Sequence, residues 1–228
     1  MRHLLILWLV AFAGWVPGAA ARAQGPVEPL YDPNQLPAFQ GRLQLFTFTP
    51  RGDIDGFVLA DGIEVKTPPH LTAALSAAVK PGDRVTVHGL KAASLPLIQA
   101  LSVGNDSTGA IVVDTGPQAG RMASMLPAKE TPIVPVAGRV RMLLHGPRGD
   151  VNGALLDDGL VLDLPPPEAE RYAALLAPGR TIAGQGRRHD LPAGSFVELT
   201  ALGPQGGALQ PVTGPPRPPA DPAERPPG

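Results

Sequence analysis

The sequence predicts a mainly β protein built from two tandem small five-stranded barrels, each with one helix between its third and fourth strands. Three observations predict this class. The pattern PRGDxxGxxLxDG occurs twice, at residues 50–62 and 147–159. Short runs of alternating apolar and β-branched residues are separated by Gly, Pro and Asp turn signals, as in all-β domains. The two halves also align without a gap over most of their length, which indicates an internal duplication.

The first repeat contains five strand-like runs and one helical run. Asp61-Gly62 is a hairpin signal between the second and third strands, and Pro68-Pro69 ends the third strand because proline cannot donate to a ladder. The helical run places Leu71, Leu75 and Val79 on one face, and Pro81-Gly82 ends it. The predicted strands are 39–49, 54–60, 63–67, 84–89 and 95–103, with the helix at 70–80. Apolar residues on both faces of the first strand predict a bend near Gly41.

The second repeat follows the first at a constant offset of 97 residues, so that Gly41 corresponds to Gly138 and Gly89 to Gly186. Two residues are then inserted before the last strand, predicted at about 196–202. The predicted organisation is a signal peptide (1–23), a leader (24–37), a first barrel (38–103), a linker (104–135), a second barrel (136–203) and a disordered proline-rich tail (204–228). Residues 110–113 within the linker have the character of an edge strand.

The N-terminus has the pattern of an export signal. Arg2 and His3 precede an apolar run at 4–16, and Ala21-Arg22-Ala23 forms an A-x-A cleavage site. A membrane anchor, the other interpretation, needs about 20 apolar residues, and Pro17-Gly18 interrupts this run. We therefore expect a periplasmic or secreted protein. The chain has no Cys, so each barrel must be held by its core without disulfides.

The order strand, strand, strand, helix, strand, strand resembles the OB-fold, a five-stranded, partly open Greek-key barrel. The resemblance implies a binding surface formed by the second and third strands together with the loops after the first and fourth strands. The repeated PRGDxxGxxLxDG stretch is similar to one in exported proteobacterial proteins of unknown function, and it implies no activity.

Catalysis, metal binding and cofactor binding are disfavoured by the residue types present. No Cys or G-x-S-x-G motif supplies a nucleophile, and no His recurs between the repeats, as the base of a duplicated active site would. The His residues lack metal-ligand spacing. Asp53-Ile54-Asp55-Gly56 resembles part of a calcium loop but lacks its third acidic position and its final Glu. No glycine-rich phosphate loop is present, so no metal and no cofactor is predicted.

Nucleic-acid binding is the function most associated with OB-folds, but the composition does not favour it. Basic and acidic residues nearly balance in each half, and only 4% of the residues are aromatic, whereas single-strand binders combine a basic groove with aromatic platforms. Phe46 and Phe48 are the best stacking candidates, although core packing is the favoured interpretation. Lys66, on the third strand, is replaced by Asp163 in the second repeat.

The favoured prediction is therefore an exported, non-catalytic binding or interaction module, whose partner is an envelope protein or polymer. The alternative is an OB-fold protein that binds single-stranded nucleic acid; a calcium binder or an enzyme is less favoured. The repeated stretch is interpreted mainly as turn architecture, with Asp53 and Asp150 accepting backbone N–H bonds. If it binds a ligand, the candidate residues are Arg51, Asp53, Asp55 and Lys91 in the first repeat and Arg148, Asp150, Asn152, Arg187 and Arg188 in the second.

Overall fold

The computed structural model describes residues 31–116 and 131–213. The predicted signal peptide, the leader up to residue 30, linker residues 117–130 and the tail from residue 214 lie outside the described residues. Within the described ranges, no helix has the length and apolar character needed to span a membrane.

The first repeat forms strands and a helix in the predicted order. Its elements are β1 (Ala38–Phe48), β2 (Ile54–Leu59), β3 (Glu64–Lys66), α1 (Thr72–Ala78), β4 (Arg84–Lys91), β5 (Leu97–Asn105) and β6 (Ile111–Val113). Short 3-10 turns precede β1 and α1. β5 continues two residues past its predicted end and pairs with β6, so residues 104–113 of the predicted linker belong to the first sheet.

The second repeat has the same order of elements. They are β7 (Ile133–His145), β8 (Val151–Leu156), β9 (Val161–Asp163), α2 (Pro166–Arg171), α3 (Ala173–Leu176), β10 (Thr181–Leu191), β11 (Gly194–Pro204) and β12 (Gln210–Pro211). The helical segment differs from its counterpart because it divides into two short helices at Tyr172, whose backbone leaves the helical region. The Tyr172 hydroxyl donates to the carbonyl of Pro211 at 3.0 Å and so ties the C-terminal strand to the barrel.

Both sheets close into five-stranded barrels of OB topology. In the first repeat, β1 pairs with β2 and β4, β2 with β3, and β4 with β5; a parallel β3–β5 pairing completes the circle. The second repeat closes in the same way through β9 and β11. Glu64 pairs with Leu97, whereas its equivalent Val161 pairs with Phe196. The register therefore confirms the two-residue insertion before the last strand, as well as the predicted fold class.

The bend predicted in the first strand of each repeat is a β-bulge. The register of β1 against β2 shifts between Leu43 and Leu45, and that of β7 against β8 shifts between Val140 and Met142. Each first strand then pairs with one neighbour before the bulge and with another after it. A bulge reverses the alternation of faces, so apolar residues on both sides of the strand become buried in turn.

The two barrels share part of their hydrophobic core. The core of the first repeat, which includes Phe48, continues into four residues of the second: Leu144, Leu155, Val161 and Phe196. The second repeat has a further core of its own around Leu162, Leu176 and Leu202. Because each fully buried Phe or Leu contributes on the order of 2–3 kcal/mol, the shared core joins the repeats into one body instead of two independent barrels on a flexible linker.

Four glycines at equivalent strand positions lie where a neighbouring backbone leaves no room for a side chain. A Cβ on any of them would overlap a carbonyl oxygen of the adjacent strand. These glycines are Gly56 and Gly89 in the first repeat and Gly153 and Gly186 in the second. Their recurrence in both repeats shows that the glycine of the repeated stretch marks a close backbone approach.

Replacement of one of these glycines tests the close packing of the strands. Gly89→Ala places a methyl group on the Gln99 carbonyl oxygen and is expected to lower the free energy of unfolding by about 2 kcal/mol. Gly104→Ala in β5 is the matched control, because its nearest neighbour would lie at an ordinary 3.6 Å. Urea denaturation measures both variants. Equal losses in the two variants would contradict the packing argument.

Candidate functional site

The repeated turns, residues 49–53 and 146–150, are fixed by backbone hydrogen bonds. In the first turn the Thr49 amide donates to the Asp53 carbonyl at 2.8 Å and the Gly52 amide to the Thr49 carbonyl at 2.9 Å; the second turn makes the equivalent pair at 2.7 and 3.0 Å. Gly52 and Gly149 have φ of 83° and 84°, a conformation that glycine adopts without strain. The predicted turn architecture is therefore present in both repeats.

The cations predicted as ligand contacts all lie at the surface. The side chain of Arg148 is 89% exposed, and its Nε lies 3.6 Å from Asp150 Oδ1. Arg187 lies 3.8 Å from Glu198, and Arg188 donates to Asp190 at 2.9 Å. Arg51 and Lys91 are exposed as well. Because exposed ion pairs contribute about 1 kcal/mol or less, these side chains remain available to a partner.

The predicted turn aspartates, Asp53 and Asp150, differ in burial. Asp150 is half-buried beside Arg148, whereas Asp53 is buried, and burial raises the pKa of its carboxyl group against the opposing charge of Arg51. The backbone amides of Arg51 and Asp53 donate to the hydroxyl of Thr49 at 3.3 and 3.2 Å. Thr49 therefore has the turn-capping role expected of Asp53. Its equivalent Gly146 has no side chain, which explains why the repeated pattern did not reveal it.

Asp55 belongs to a buried polar group at the centre of the interface, here called the central cluster (Thr47, Asp55, Lys66 and Asp163). Thr47 donates to Asp55 at 2.6 Å, and Lys66 donates to it at 3.1 Å. The Lys66 side chain is 3% exposed. Asn152, the equivalent of Asp55, lines the same small space with Asp163. The structure therefore brings the predicted residues Asp55 and Asn152 together, but between the barrels and not at a loop surface.

The central cluster changes the protonation of Asp163. Burial, together with the charges of Glu198 and Asp55, raises the pKa of Asp163 to about 7, while Lys66 opposes this shift. Because Lys66 and Asp163 occupy equivalent positions in the two repeats, a lysine on one side of the interface corresponds to a carboxyl group on the other.

A second polar pair crosses the interface. The backbone amide of His145 donates to Glu64 Oε2 at 2.9 Å, and the ring Nδ1 lies 2.5 Å from Glu64 Oε1. Both side chains are buried. Val161 of the second repeat is the equivalent of Glu64, and Phe48 of the first repeat is the equivalent of His145. An apolar pair therefore corresponds to this polar pair. Sequence reasoning missed this pair, although a comparison of the two repeats would have marked both residues as departures from their apolar counterparts.

Aromatic rings pack across the interface around Phe48 and Phe196, the apolar part of the contact. Phe196 lies between Phe48 and His189, with ring centroids 5.7 and 4.6 Å away and nearly parallel planes. Phe46 is 3% exposed and packs edge-on against Phe57. The favoured interpretation of Phe46 and Phe48 as core residues is confirmed.

Each repeat also contacts the other through the connection between its fourth and fifth strands. Gly194, at the tip of the β10–β11 hairpin, lies against the Phe48 ring, and Leu95, before β5, lies against Gly149 in the second repeated turn. The loop surface predicted within one barrel is thus bordered by residues of both barrels.

The cross-interface pair is tested by giving each residue the identity found in the other repeat. Glu64→Val leaves the buried polar groups of His145 without their partner and is expected to cost about 3 kcal/mol of stability. His145→Phe leaves the Glu64 carboxylate without the ring and should cost a similar amount. The double variant should lose less than the sum of the two, as measured by urea denaturation in a double-mutant cycle. Additive losses would show that the pair is not coupled.

Because Asp163 has a raised pKa, its contribution to the free energy of unfolding should decrease as the pH rises. Its pKa is raised to about 7, so between about pH 4 and 7 the folded chain holds a proton that the unfolded chain has released. This group's contribution therefore falls as pH rises, by at most about 4 kcal/mol. Asp163→Asn should remove this fall and make the protein more stable than wild type at about pH 8.

Denaturation of wild type and variant across this pH range checks the prediction. Asp190→Asn, at a carboxylate that is 70% exposed, is the control and should follow wild type. An unchanged pH profile for Asp163→Asn would contradict the assignment.

Comparisons with known proteins add little to this geometry. No protein-family model matches the chain, and no curated protein matches it. The single-stranded DNA binding protein from Thermus aquaticus is similar in structure, with 16% identity, coverage of 82% of this chain and 97% of that chain, and a TM-score of 0.25. A deletion mutant of the same protein gives 16% identity, coverage of 78% and 95%, and a TM-score of 0.24. The OB-like fold of the two repeats rests on their strand order and barrel closure.

Proposed function

We propose that the chain is an exported, periplasmic, non-catalytic binding module that engages an envelope protein or polymer through the exposed cations of its repeated turns and fourth strands. One observation carries this proposal. The turn backbone is fixed by hydrogen bonds while the arginine at its tip, most clearly Arg148, extends into solvent. A charged group held on a rigid turn binds with less loss of conformational freedom than one on a mobile loop.

The shared core strengthens the argument for binding by both turns at once. Because Phe48, Leu144 and Phe196 pack in one cluster, Arg51 and Arg148 keep a fixed spacing. A partner with two matching sites then binds more tightly through the second contact, because no conformational entropy of a flexible linker is lost. Neighbouring carboxylates such as Asp150 and Asp190 give the surface mixed charge, which favours a partner with defined polar groups over one that is uniformly anionic.

Export is supported by the sequence. The apolar run and the Ala21-Arg22-Ala23 site have the pattern of a cleaved signal peptide. The intact mass of the protein recovered from a periplasmic fraction checks this part, since cleavage leaves a chain that begins at Gln24.

Single-stranded nucleic acid stays the second candidate. Its only support is the OB topology, and fold alone does not determine function. The rings that would stack on bases, Phe46, Phe48 and Phe57, are at most 5% exposed. Lys66, on the third strand, is buried against Asp55. The surface that OB-folds offer to nucleic acid is thus covered by the other repeat.

Charge reversal at the turns tests the proposal. The double variant Arg51→Glu, Arg148→Glu should lose at least about tenfold in the capture of its partner from a periplasmic extract, because two favourable contacts become repulsive. Arg180→Glu, at an exposed arginine in the turn before β10, is the matched control and should capture as wild type does.

Equal capture by wild type and the double variant would reject the turn surface. Binding of an oligonucleotide with a steep dependence on salt concentration would support the second candidate instead.

A further inference from the structure

A cleft of about 370 Å³ opens between the two barrels on the side opposite the aromatic stack. The β2–β3 hairpin of the first repeat forms one wall, with Asp61 at its tip, and β7 of the second repeat forms the other. Its apolar lining includes Pro96, Met142, Leu143 and Pro178. His145 also borders the cleft, but its ring is already engaged by Glu64.

The cleft results from a difference between the repeats. At the equivalent place on the other side of the interface, the tip of the β10–β11 hairpin occupies the space. There Gly194 lies against Phe48, and Leu191 and Ala193 pack on the shared core. The segment from Gly89 to Leu97 is two residues shorter than the equivalent segment from Gly186 to Phe196, as the pairings of Leu97 and Phe196 with the third strands show. The insertion therefore fills one side of the interface and leaves the other open.

Arg141 is the one cation that lines the cleft, and it makes no hydrogen bond or ion pair with any residue that the structure describes. It is half-buried at the bulge of β7, where a bulge redirects a side chain. Asp61 Oδ1 accepts a hydrogen bond from the amide of Ile63 at 3.2 Å, and Asp61 is exposed at the rim of the cleft. A guanidinium that faces an open cleft without a protein partner is available to an anionic ligand. In the first repeat, the equivalent residue is Gln44.

We propose that this cleft binds a small amphiphilic anion, with its charged group on Arg141 and its apolar body against Met142, Leu143 and Pro96. The volume lies at the small end of ligand pockets and accommodates roughly 10–20 non-hydrogen atoms, so it fits a small molecule and not a helix or a folded partner. Arg pairs with carboxylate or sulfonate groups through two parallel hydrogen bonds. This site is separate from the turn arginines and does not depend on the proposed function.

Octanoate is the probe, with octan-1-ol and octylammonium as neutral and cationic controls of the same chain length. Titration of the mature chain is followed by amide chemical shifts in ¹H–¹⁵N NMR spectra. We expect octanoate to shift the amides of Gly62, Met142 and Leu143 and to bind at least about tenfold more tightly than either control. Arg141→Gln, which introduces the residue of the other repeat, should lose that tenfold for octanoate and leave octan-1-ol unchanged.

Arg180→Gln is the matched control and should bind octanoate as wild type does. Three results would overturn the proposal: no shift of the cleft amides, equal binding of octanoate and octan-1-ol, or octanoate binding by Arg141→Gln at wild-type affinity. The Arg51→Glu, Arg148→Glu variant should keep its octanoate binding, so failure of the turn surface and failure of the cleft are distinguished. A spectrum of Arg141→Gln that matches wild type outside the cleft shows that the variant folds.

Discussion

Glu64 of the first barrel is buried against His145 of the second, and it can stay buried only while the two barrels are in contact. A carboxylate that is 1% exposed is tolerated only when its oxygens are hydrogen-bonded, and both partners that His145 offers belong to the other barrel. Burial of Glu64 therefore requires the interface. The interface also buries the shared core and the central cluster. Residues of the second and third strands of both barrels face each other across it.

The interface resembles that of a two-fold dimer whose subunits have been joined in one chain. Identical subunits would present the same residue twice at each equivalent position. Here the pairs have diverged in a complementary way: Glu64 and His145 form a polar contact where Val161 and Phe48 are apolar, and Lys66 is matched by Asp163. Fusion permits this divergence because each repeat always meets the same partner. The two halves are no longer interchangeable, and the open cleft on one side is a further consequence.

The repeated stretch has three structural roles, which the sequence pattern alone does not distinguish. Its proline and glycine fix the turn, its arginine extends into solvent, and its later residues enter the interface, with Asp55 bound by Thr47 and Lys66. The candidate residues of one short segment thus lie in different environments only a few residues apart. Arg51 lies in the turn before β2, whereas Asp55 lies in β2 itself, so the start of the strand separates the exposed arginine from the aspartate of the central cluster.

The sequence by itself determined the order of elements, the duplication and the two-residue insertion. These follow from local signals, namely periodicity, turn residues and a constant offset. Only the tertiary structure decided that the barrels share a core, that Asp55 and Asn152 lie between them, and that Arg141 borders an open cleft. Contacts between repeats depend on how two surfaces dock, and residues such as Glu64 and His145 are 81 positions apart. No local pattern specifies such a pair, because the partner of each residue lies on the other barrel.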